Sequence, residues 1–358
     1  MCAKVPPLNP EVTLAGRRIG LGHPCFVIAE LGVNHNGDIA LAKRLIDAAA
    51  RVGADAIKFQ TFNTDLVVDA TASKADYQKN STDSAETQLE MIRRLELPQS
   101  CWGELKAYVE SFGLVFLSTP FDLPSAHLLM NLGMEAIKIP SGEITNLPFL
   151  DALAAFGAPM IVSTGMADIA EVGVAAAAIE RKAAPYCLLH CVSNYPADPA
   201  DANLRAMQTL ESAFAVPVGY SDHTQGDAVA LAAVALGAAI VEKHFTVDRT
   251  LPGPDHPMST EPEEFANLVR NIRTVESALG DGRKRPRSRE LEIAKVARRS
   301  IIAERSVKKG VAIVPEDLGA RRTSGGLPPT VAYLFYGRRA RRDILAGEPV
   351  DFADFEKP

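Results

Sequence analysis

The sequence has few aromatic residues and no long apolar run, and these absences exclude whole classes of protein. Only 6% of the 358 residues are aromatic, whereas 47% are hydrophobic. No stretch approaches the ~18 uninterrupted apolar residues of a membrane-spanning helix, so we expect no membrane span. The N-terminal residues also lack the charged and apolar regions of a signal peptide. The abundance of Ala, Val, Ile and Leu favours buried parallel strands that are covered by helices.

The sequence also lacks paired cysteines and an excess of positive charge. The five cysteines are odd in number and include no CxxC pair. Free buried thiols are therefore expected, in a reduced, cytoplasmic protein. The 38 Lys and Arg against 44 Asp and Glu give a net charge of −6, which argues against nucleic-acid binding. Residues 283–358 alone hold 18 Lys and Arg against 10 Asp and Glu, so an acidic main part is joined to a basic tail.

Eight short apolar runs alternate with longer amphipathic segments between Cys25 and Leu279. Such alternation over roughly 250 residues is typical of a (β/α)₈ or TIM barrel. A doubly wound open sheet also alternates, but it seldom needs eight regular repeats. The predicted strands are Cys25–Glu30, Ala56–Gln60, Leu114–Thr119, Glu135–Ile139, Pro159–Thr164, Tyr186–Val192, Val216–Ser221 and Ala239–Thr246.

Two segments depart from this alternation. Val67–Leu97 is an insertion with a predicted helix at Glu86–Leu95, and both a lid and a surface excursion fit it. After Leu279 a linker rich in Gly, Pro and Arg leads into short β-like pieces with little helix. We therefore predict a TIM-barrel domain at residues 1–280, a linker at 281–292 and a small, mostly β domain at 293–358.

Every predicted strand ends in polar residues, and the carboxyl ends of barrel strands form the active-site rim. Lysine and hydroxyl side chains beside glycine suit a phosphate; the set is Thr119, Lys138, Ser141, Ser163 and Ser221. His223 and His244 follow adjacent strands and could ligate a divalent metal, although a structural role fits each equally well. Carboxylates, amides and a phenol suit a hydroxylated partner or a general base; the set is Glu30, Gln60, Asn80, Glu143, Tyr195, Glu242 and Asp255.

Ordered motifs along nearly the whole chain resemble the sialic acid synthase family. They are FVIAELGVNHNG (26–37), AIKFQTF (56–62), FLSTPFD (116–122), KIPSGEITNLP (138–148), IVSTGMA (161–167), LLHCVSNYPA (188–197), GYSDHT (219–224) and EKHFTVDRTLPGPDH (242–256). The tail, with RRSIIAERSVKKG, looks like the family's antifreeze-like (SAF) domain. The resemblance implies a cytoplasmic enzyme that joins phosphoenolpyruvate to an N-acetylated hexosamine with C–O cleavage.

The resemblance also implies roles for individual residues. The metal, with manganese as the first expectation and magnesium or cobalt as alternatives, would be held by His223 and His244. Glu143 is the first candidate for the general base, followed by Glu30 and Glu242, and Lys138 would stabilise the departing phosphate. Phosphoenolpyruvate would be held by Thr119, Lys138, Ser141, Ser163, Ser193 and Ser221, although relatives often have Asn where Ser193 stands. The sugar would meet Lys58, Gln60, Asn80, Tyr195, Asp255 and, from the partner in a domain-swapped homodimer, Arg322.

Other functions stay open at this point. A barrel aldolase could use Lys138 or Lys58 as an imine-forming lysine and would need no metal. A carbohydrate-binding protein without catalysis could keep the same fold. Within the family, N-acetylmannosamine is the first expectation for the sugar, with N-acetylneuraminate as the product. The alternative is 2,4-diacetamido-2,4,6-trideoxymannose, the substrate of N,N'-diacetyllegionaminate synthases, and pseudaminate synthases are less similar.

Overall fold

The computed structural model describes residues 11–75, 78–79, 82–83 and 85–357. The chain divides into two compact units between Gly280 and Asp281. Among the described residues, no helix combines the length and the apolar character that a membrane span requires.

The first unit is built around a ring of eight parallel strands, so the predicted barrel is confirmed. The hydrogen-bonded order is β5-β4-β3-β10-β9-β8-β7-β6, and β5 and β6 lie side by side, which nearly closes the ring. The strands are β3 (Phe26–Gly32), β4 (Ala56–Thr61), β5 (Val115–Pro120), β6 (Ile137–Ile139), β7 (Met160–Ser163), β8 (Tyr186–Cys191), β9 (Val218–Asp222) and β10 (Ile240–His244).

Helices cover the outside of the ring, and side-chain caps fix where several of them begin. Asp38 accepts a hydrogen bond from the Ala40 N–H at the start of α1, and Thr87 and Glu90 form a capping box at α3. The helices are α1 (Ile39–Arg51), α2 (Thr64–Val67), α3 (Gln88–Leu95), α4 (Trp102–Ser111), α5 (Leu123–Asn131), α6 (Leu147–Ala154), α7 (Ile169–Glu180), α8 (Ala206–Phe214), α9 (Ala228–Ala235) and α10 (Pro262–Leu279).

The alternation of strand side chains places apolar and polar residues at different heights inside the ring. In β4, Ile57 and Phe59 pack outward in the core under the helices, whereas Ala56 belongs to the inner core. Lys58 and Gln60 follow Ala56 at two-residue steps, so they point inward above it and line a cavity. The same step places Glu30 above Ile28 in β3. The inner core therefore supports a polar layer at the carboxyl ends of the strands.

A short hairpin that the sequence did not lead us to expect packs at the bottom of the ring. β1 (Glu11–Leu14) and β2 (Arg17–Gly20) pair antiparallel, and the turn residues Ala15 and Gly16 both have positive φ. Such a two-residue turn matches the twist of paired strands. Its side chains Val12, Leu14 and Ile19 belong to the inner core cluster, so the hairpin closes the apolar end of the barrel.

The second unit is a small fold around its own apolar core. Strands β11 (Ser300–Ala303) and β12 (Leu318–Arg321) pair antiparallel, and Phe335 and Phe355 stack within the core. The tail also contains a helix that we did not predict, α11 (Ser288–Ala297), which begins inside the expected linker 281–292. The Glu290 carboxylate accepts from the Arg287 N–H and caps this helix, although Arg is not a usual capping residue.

We predict that Gly219→Ala destabilises the barrel. An added Cβ would lie 2.5 Å from the Ile240 carbonyl oxygen and 2.7 Å from Leu189 Cδ2, and the backbone of a central strand cannot yield easily. The free energy of unfolding should fall by about 1–3 kcal/mol, seen as a lower midpoint of thermal unfolding. The matched control is Gly173→Ala in α7, where the added Cβ meets only Phe214 at 3.9 Å. This control should stabilise by up to about 1 kcal/mol; an equal loss in both variants would contradict the packing.

Candidate active site

A cavity of about 310 Å³ opens at the carboxyl ends of the strands. All eight strands of the ring, or the residues directly after them, contribute to its lining. The predicted residues that line it are Glu30, Lys58, Gln60, Thr119, Lys138, Ser141, Ser163, Ser193, Tyr195, Ser221, His223, Glu242 and His244. The structure thus brings together residues that lie up to 214 positions apart in the sequence.

Three charged side chains from neighbouring strands meet at the bottom of this cavity. Lys58 Nζ lies 2.9 Å from Glu242 Oε2 and 3.2 Å from Glu30 Oε2. The register of the sheet places Lys58 opposite Glu30 across β3 and β4. All three side chains are buried. Because an unpaired buried charge is strongly unfavourable, each of these groups depends on the others.

The two carboxyl groups of this cluster differ in their readiness to ionise. Burial raises the pKa of Glu30 to about 7, and the attraction of Lys58 offsets only part of that effect. Burial also opposes ionisation of Glu242, but Lys138 and Lys58 outweigh it and lower its pKa to about 2. Glu242 is therefore a fixed anion, whereas Glu30 can take up or release a proton near neutral pH.

A second lysine, Lys138, lies beside hydroxyl groups that can bind an anion. Its Nζ donates to Ser163 Oγ at 2.6 Å and lies 3.8 Å from Glu242 Oε1, which also accepts from Ser221 Oγ at 2.9 Å. Burial lowers the pKa of Lys138 to about 8, and Glu242 counteracts this by favouring the charged form. Lys138 is thus buried with its side chain directed into the cavity.

The glycine after β7 allows three polar side chains to converge next to Lys138. The Gly165 N–H donates to Ser141 Oγ at 3.0 Å. A Cβ at Gly165 would lie 2.3 Å from Ser193 Oγ, 2.8 Å from Ser141 Oγ and 2.9 Å from Cys191 Sγ. Hydroxyls and a backbone amide that close on a lysine form a cradle suited to a phosphate or carboxylate.

His223 and His244 lie on the opposite side of the cavity as neutral imidazoles. Their ring centroids are 5.6 Å apart, and burial lowers the pKa of both rings. His223 Nδ1 lies 2.7 Å from the Val192 carbonyl, which leaves its Nε2 with the lone pair. His244 Nδ1 is buried without a hydrogen-bond partner in the described part of the chain. Neutral rings with a free nitrogen are what a divalent metal ion requires.

The described residues supply an incomplete set of metal ligands. Among the described residues, no group of three or more His, Cys, Asp or Glu side chains converges as a metal site. Asp255 Oδ2 lies 3.9 Å from His244 Nδ1, beyond the distance of a metal-bridging or hydrogen-bonded pair. Two imidazoles plus oxygens from substrate and water would form an open site of the kind found in catalytic metal centres.

Four predicted site residues are not among those that line the cavity. Glu143 lies in the turn after β6, and its carboxylate accepts from Asn146 Nδ2 at 2.7 Å, because both belong to the segment that caps α6. This position at the mouth does not support Glu143 as the group that acts inside the cavity. Asp255 is buried behind Gly32, 3.9 Å from His244. Asn80 lies outside the described residues. Arg322 belongs to the second unit, where its Nε donates to the Ala297 carbonyl.

Some residues of the site were not singled out in the sequence. Phe121, Met166 and Cys191 also line the cavity, and Cys191 Sγ lies 3.1 Å from Ser141 Oγ. Cys191 alternates inward with Leu189 in β8, so strand parity could have identified it. Lys243 and Asp222 form a buried ion pair at 2.6 Å. Asp222 directly precedes His223, and Lys243 directly precedes His244. Both side chains face away from the cavity, so their ion pair holds β9 and β10 together just below the two histidines.

Comparison with known proteins agrees with this geometry. A model of the NeuB family matches residues 45–284, and a model of the SAF domain matches residues 298–356. The chain belongs to the NeuB family. It is 48% identical over 337 residues to N,N'-diacetyllegionaminic acid synthase of Legionella pneumophila. The alignment covers 92% of this chain and 94% of that protein. The protein of the same name from Campylobacter jejuni is 44% identical over 326 residues, covering 90% and 98%.

A solved structure of the NeuB type extends the likeness to the fold. The N-acetylneuraminic acid (sialic acid) synthetase of Leptospira borgpetersenii, in complex with citrate, superimposes with a TM-score of 0.71 at 40% identity. The match covers 80% of this chain and 95% of that chain. The predicted family, the barrel and the SAF domain are confirmed. The chain is thus a NeuB-family synthase by family and by fold.

The raised pKa of Glu30 predicts how stability depends on pH. The folded NeuB-family protein binds a proton at Glu30 that the unfolded chain releases near its ordinary pKa of 4.5. Stability should therefore fall as pH rises from about 4.5 to about 7, by up to about 3 kcal/mol. The difference in thermal midpoint between wild type and Glu30→Gln should shrink or reverse from pH 5 to pH 8. The exposed Glu263→Gln is the matched control; parallel curves for wild type and Glu30→Gln would contradict the assignment.

Proposed function

We propose that this NeuB-family enzyme condenses phosphoenolpyruvate with an open-chain N-acetylated hexosamine and water, giving a nonulosonic acid and phosphate. The observation that carries the proposal is the pairing of two buried lysines with a proton-accepting carboxyl group in one cavity. Lys138 and the hydroxyls around Gly165 suit a phosphate, while Lys58 lies between Glu30 and Glu242. Such a site can hold a small trianion and move one proton beside it.

Each step of the condensation has a group in the cavity that serves it. The enol carbon of phosphoenolpyruvate forms a bond to the aldehyde carbon of the sugar as the C=O π bond breaks, and the aldehyde oxygen takes up a proton from solvent. Water then adds to the carbon that still carries the phosphate and loses its proton to Glu30, whose pKa of about 7 suits a base at neutral pH. The C–O bond to the phosphate then breaks, the new hydroxyl group becomes the ketone and gives its proton to the phosphate, and Lys138 stabilises the phosphate that leaves.

We assign the role of general base to Glu30 rather than to Glu143 because of the surroundings of the two carboxyl groups. Glu30 lines the cavity with Lys58 and Gln60 as partners, and Gln60 Nε2 donates to its Oε1 at 3.1 Å. Glu143 lies at the mouth, where it could meet the hydroxyl groups of the sugar. Glu242 stays ionised beside both lysines and balances their charge.

A divalent cation, with manganese as our first choice, completes the proposal. His223 and His244 would hold it, and when bound it would polarise the sugar aldehyde as a Lewis acid. The neutral state of both rings supports the two histidines as ligands of a divalent cation, and so does His244 Nδ1, which has no partner among the described residues. The domain-swapped homodimer and the role of Arg322 stay predictions from the family resemblance.

For the sugar substrate, the relatives favour 2,4-diacetamido-2,4,6-trideoxymannose over N-acetylmannosamine, which was the first expectation. The two relatives at 48% and 44% identity are both named for N,N'-diacetyllegionaminic acid. We therefore propose 2,4-diacetamido-2,4,6-trideoxymannose as the preferred sugar and N-acetylmannosamine as the weaker one.

The test is phosphate release by the full chain from phosphoenolpyruvate and Mn²⁺, with each sugar in parallel and the acid product identified by mass spectrometry. We expect one phosphate per nine-carbon acid, strict dependence on a sugar, and at least tenfold higher kcat/KM for the diacetamido sugar. Chelation followed by Mn²⁺ addition should remove and restore activity. Phosphate release without sugar would contradict the proposal, and so would a borohydride-trapped adduct on Lys58 or Lys138, which would indicate an aldolase.

A further inference from the structure

A second cavity, of about 390 Å³, adjoins the active-site cavity. Gln60 and Phe121 line both, so the two spaces share a wall. The second cavity lies under the insertion between β4 and α4. Its other described lining residues include Val67, Val68, Gln88 and Ile92.

The lining of this second cavity combines apolar walls with amide groups. Among its described lining residues there is no Asp, Glu, Lys or Arg. The buried lysine of the same insertion, Lys74, is already engaged, because its Nζ donates to Thr82 Oγ1 at 3.0 Å and to the Asp83 carbonyl at 2.8 Å. A phosphate or carboxylate would therefore find no counter-charge among the described lining residues. The lining suits a neutral group that has a methyl end and can form hydrogen bonds.

One polar atom of this wall is left without a partner. Gln88 Oε1 is buried and accepts no hydrogen bond from any described residue. An unsatisfied buried acceptor of this kind is unfavourable, and a suitable donor would satisfy it. Gln88 begins helix α3, directly after its Thr87 cap, so its backbone position is fixed. The second cavity therefore offers, beside an apolar wall, an oxygen atom in a defined position that can accept a hydrogen bond from an N–H group.

We infer that the second cavity binds the N-acyl group of the sugar that is farther from the reacting carbon. The inference rests on the proposed function and names the part of the substrate that this space selects. The amide N–H would donate to Gln88 Oε1, and the acyl methyl group would pack on Val67, Val68 and Ile92. A hydroxyl in place of this amide would leave the apolar wall uncovered, so the cavity favours a diacylated sugar over a monoacylated one.

The test uses Gln88→Met, which keeps the shape of the side chain and removes the acceptor, and Ile92→Phe, which reduces the space. For 2,4-diacetamido-2,4,6-trideoxymannose we expect KM to rise about tenfold or more in each variant, with the KM for phosphoenolpyruvate within twofold of wild type. The KM for N-acetylmannosamine should change by less than threefold. Gln208→Leu, on the exposed face of α8, is the matched control, and thermal midpoints establish that each variant is folded.

The outcomes separate this inference from the proposed function. If wild type releases phosphate with sugar but both variants keep the wild-type KM for the diacetamido sugar, the second cavity is not the acyl site and the proposed function stands. An equal rise in KM for both sugars would also overturn the inference, because it would indicate a general effect on the site. If wild type uses neither sugar, the proposed function and the inference both fall.

Discussion

The active site depends on one buried interaction, the pairing of Lys58 with Glu30 and Glu242. The three charges come from three neighbouring strands, β4, β3 and β10, and meet 2.9 and 3.2 Å apart at the top of the barrel interior. Loss of Lys58 would leave the Glu242 anion without its partner at 2.9 Å, and breaking a buried pair in this way costs about 3–5 kcal/mol. The apolar inner core below, closed by the β1–β2 hairpin, keeps water from screening these charges.

The same burial gives the groups of the cavity different protonation states. It holds His223 and His244 neutral, lowers the pKa of Lys138 to about 8 and raises the pKa of Glu30 to about 7. Glu242 alone is driven to the anion, because two lysines face it. One cavity of about 310 Å³ therefore contains lysine cations that can face an anionic substrate, a carboxyl group that can accept a proton from water, and imidazole rings with a free nitrogen.

The alternation of side chains along the strands made the barrel and most of its inward residues predictable from the sequence. Features that depend on packing between distant segments could not be predicted in this way. The eight strands and the inward Lys58, Lys138 and Glu242 follow from apolar runs with polar ends. The hairpin at Glu11–Gly20 was not predicted because its strands are not continuous apolar runs; each has two exposed and two buried residues. The position of Glu143 at the mouth depends on the Asn146 cap. The second cavity depends on how the insertion and Phe121 come to line one space. Neither has a local sequence signal.

We propose that Glu30, held beside Lys58, accepts the proton of the attacking water. The most direct measurement is the turnover of Glu30→Gln with phosphoenolpyruvate, Mn²⁺ and the preferred sugar, together with binding of phosphoenolpyruvate, against Glu263→Gln as control. We predict that kcat falls by at least about 100-fold while the Kd for phosphoenolpyruvate changes by less than about fivefold. A kcat close to that of wild type would contradict the claim.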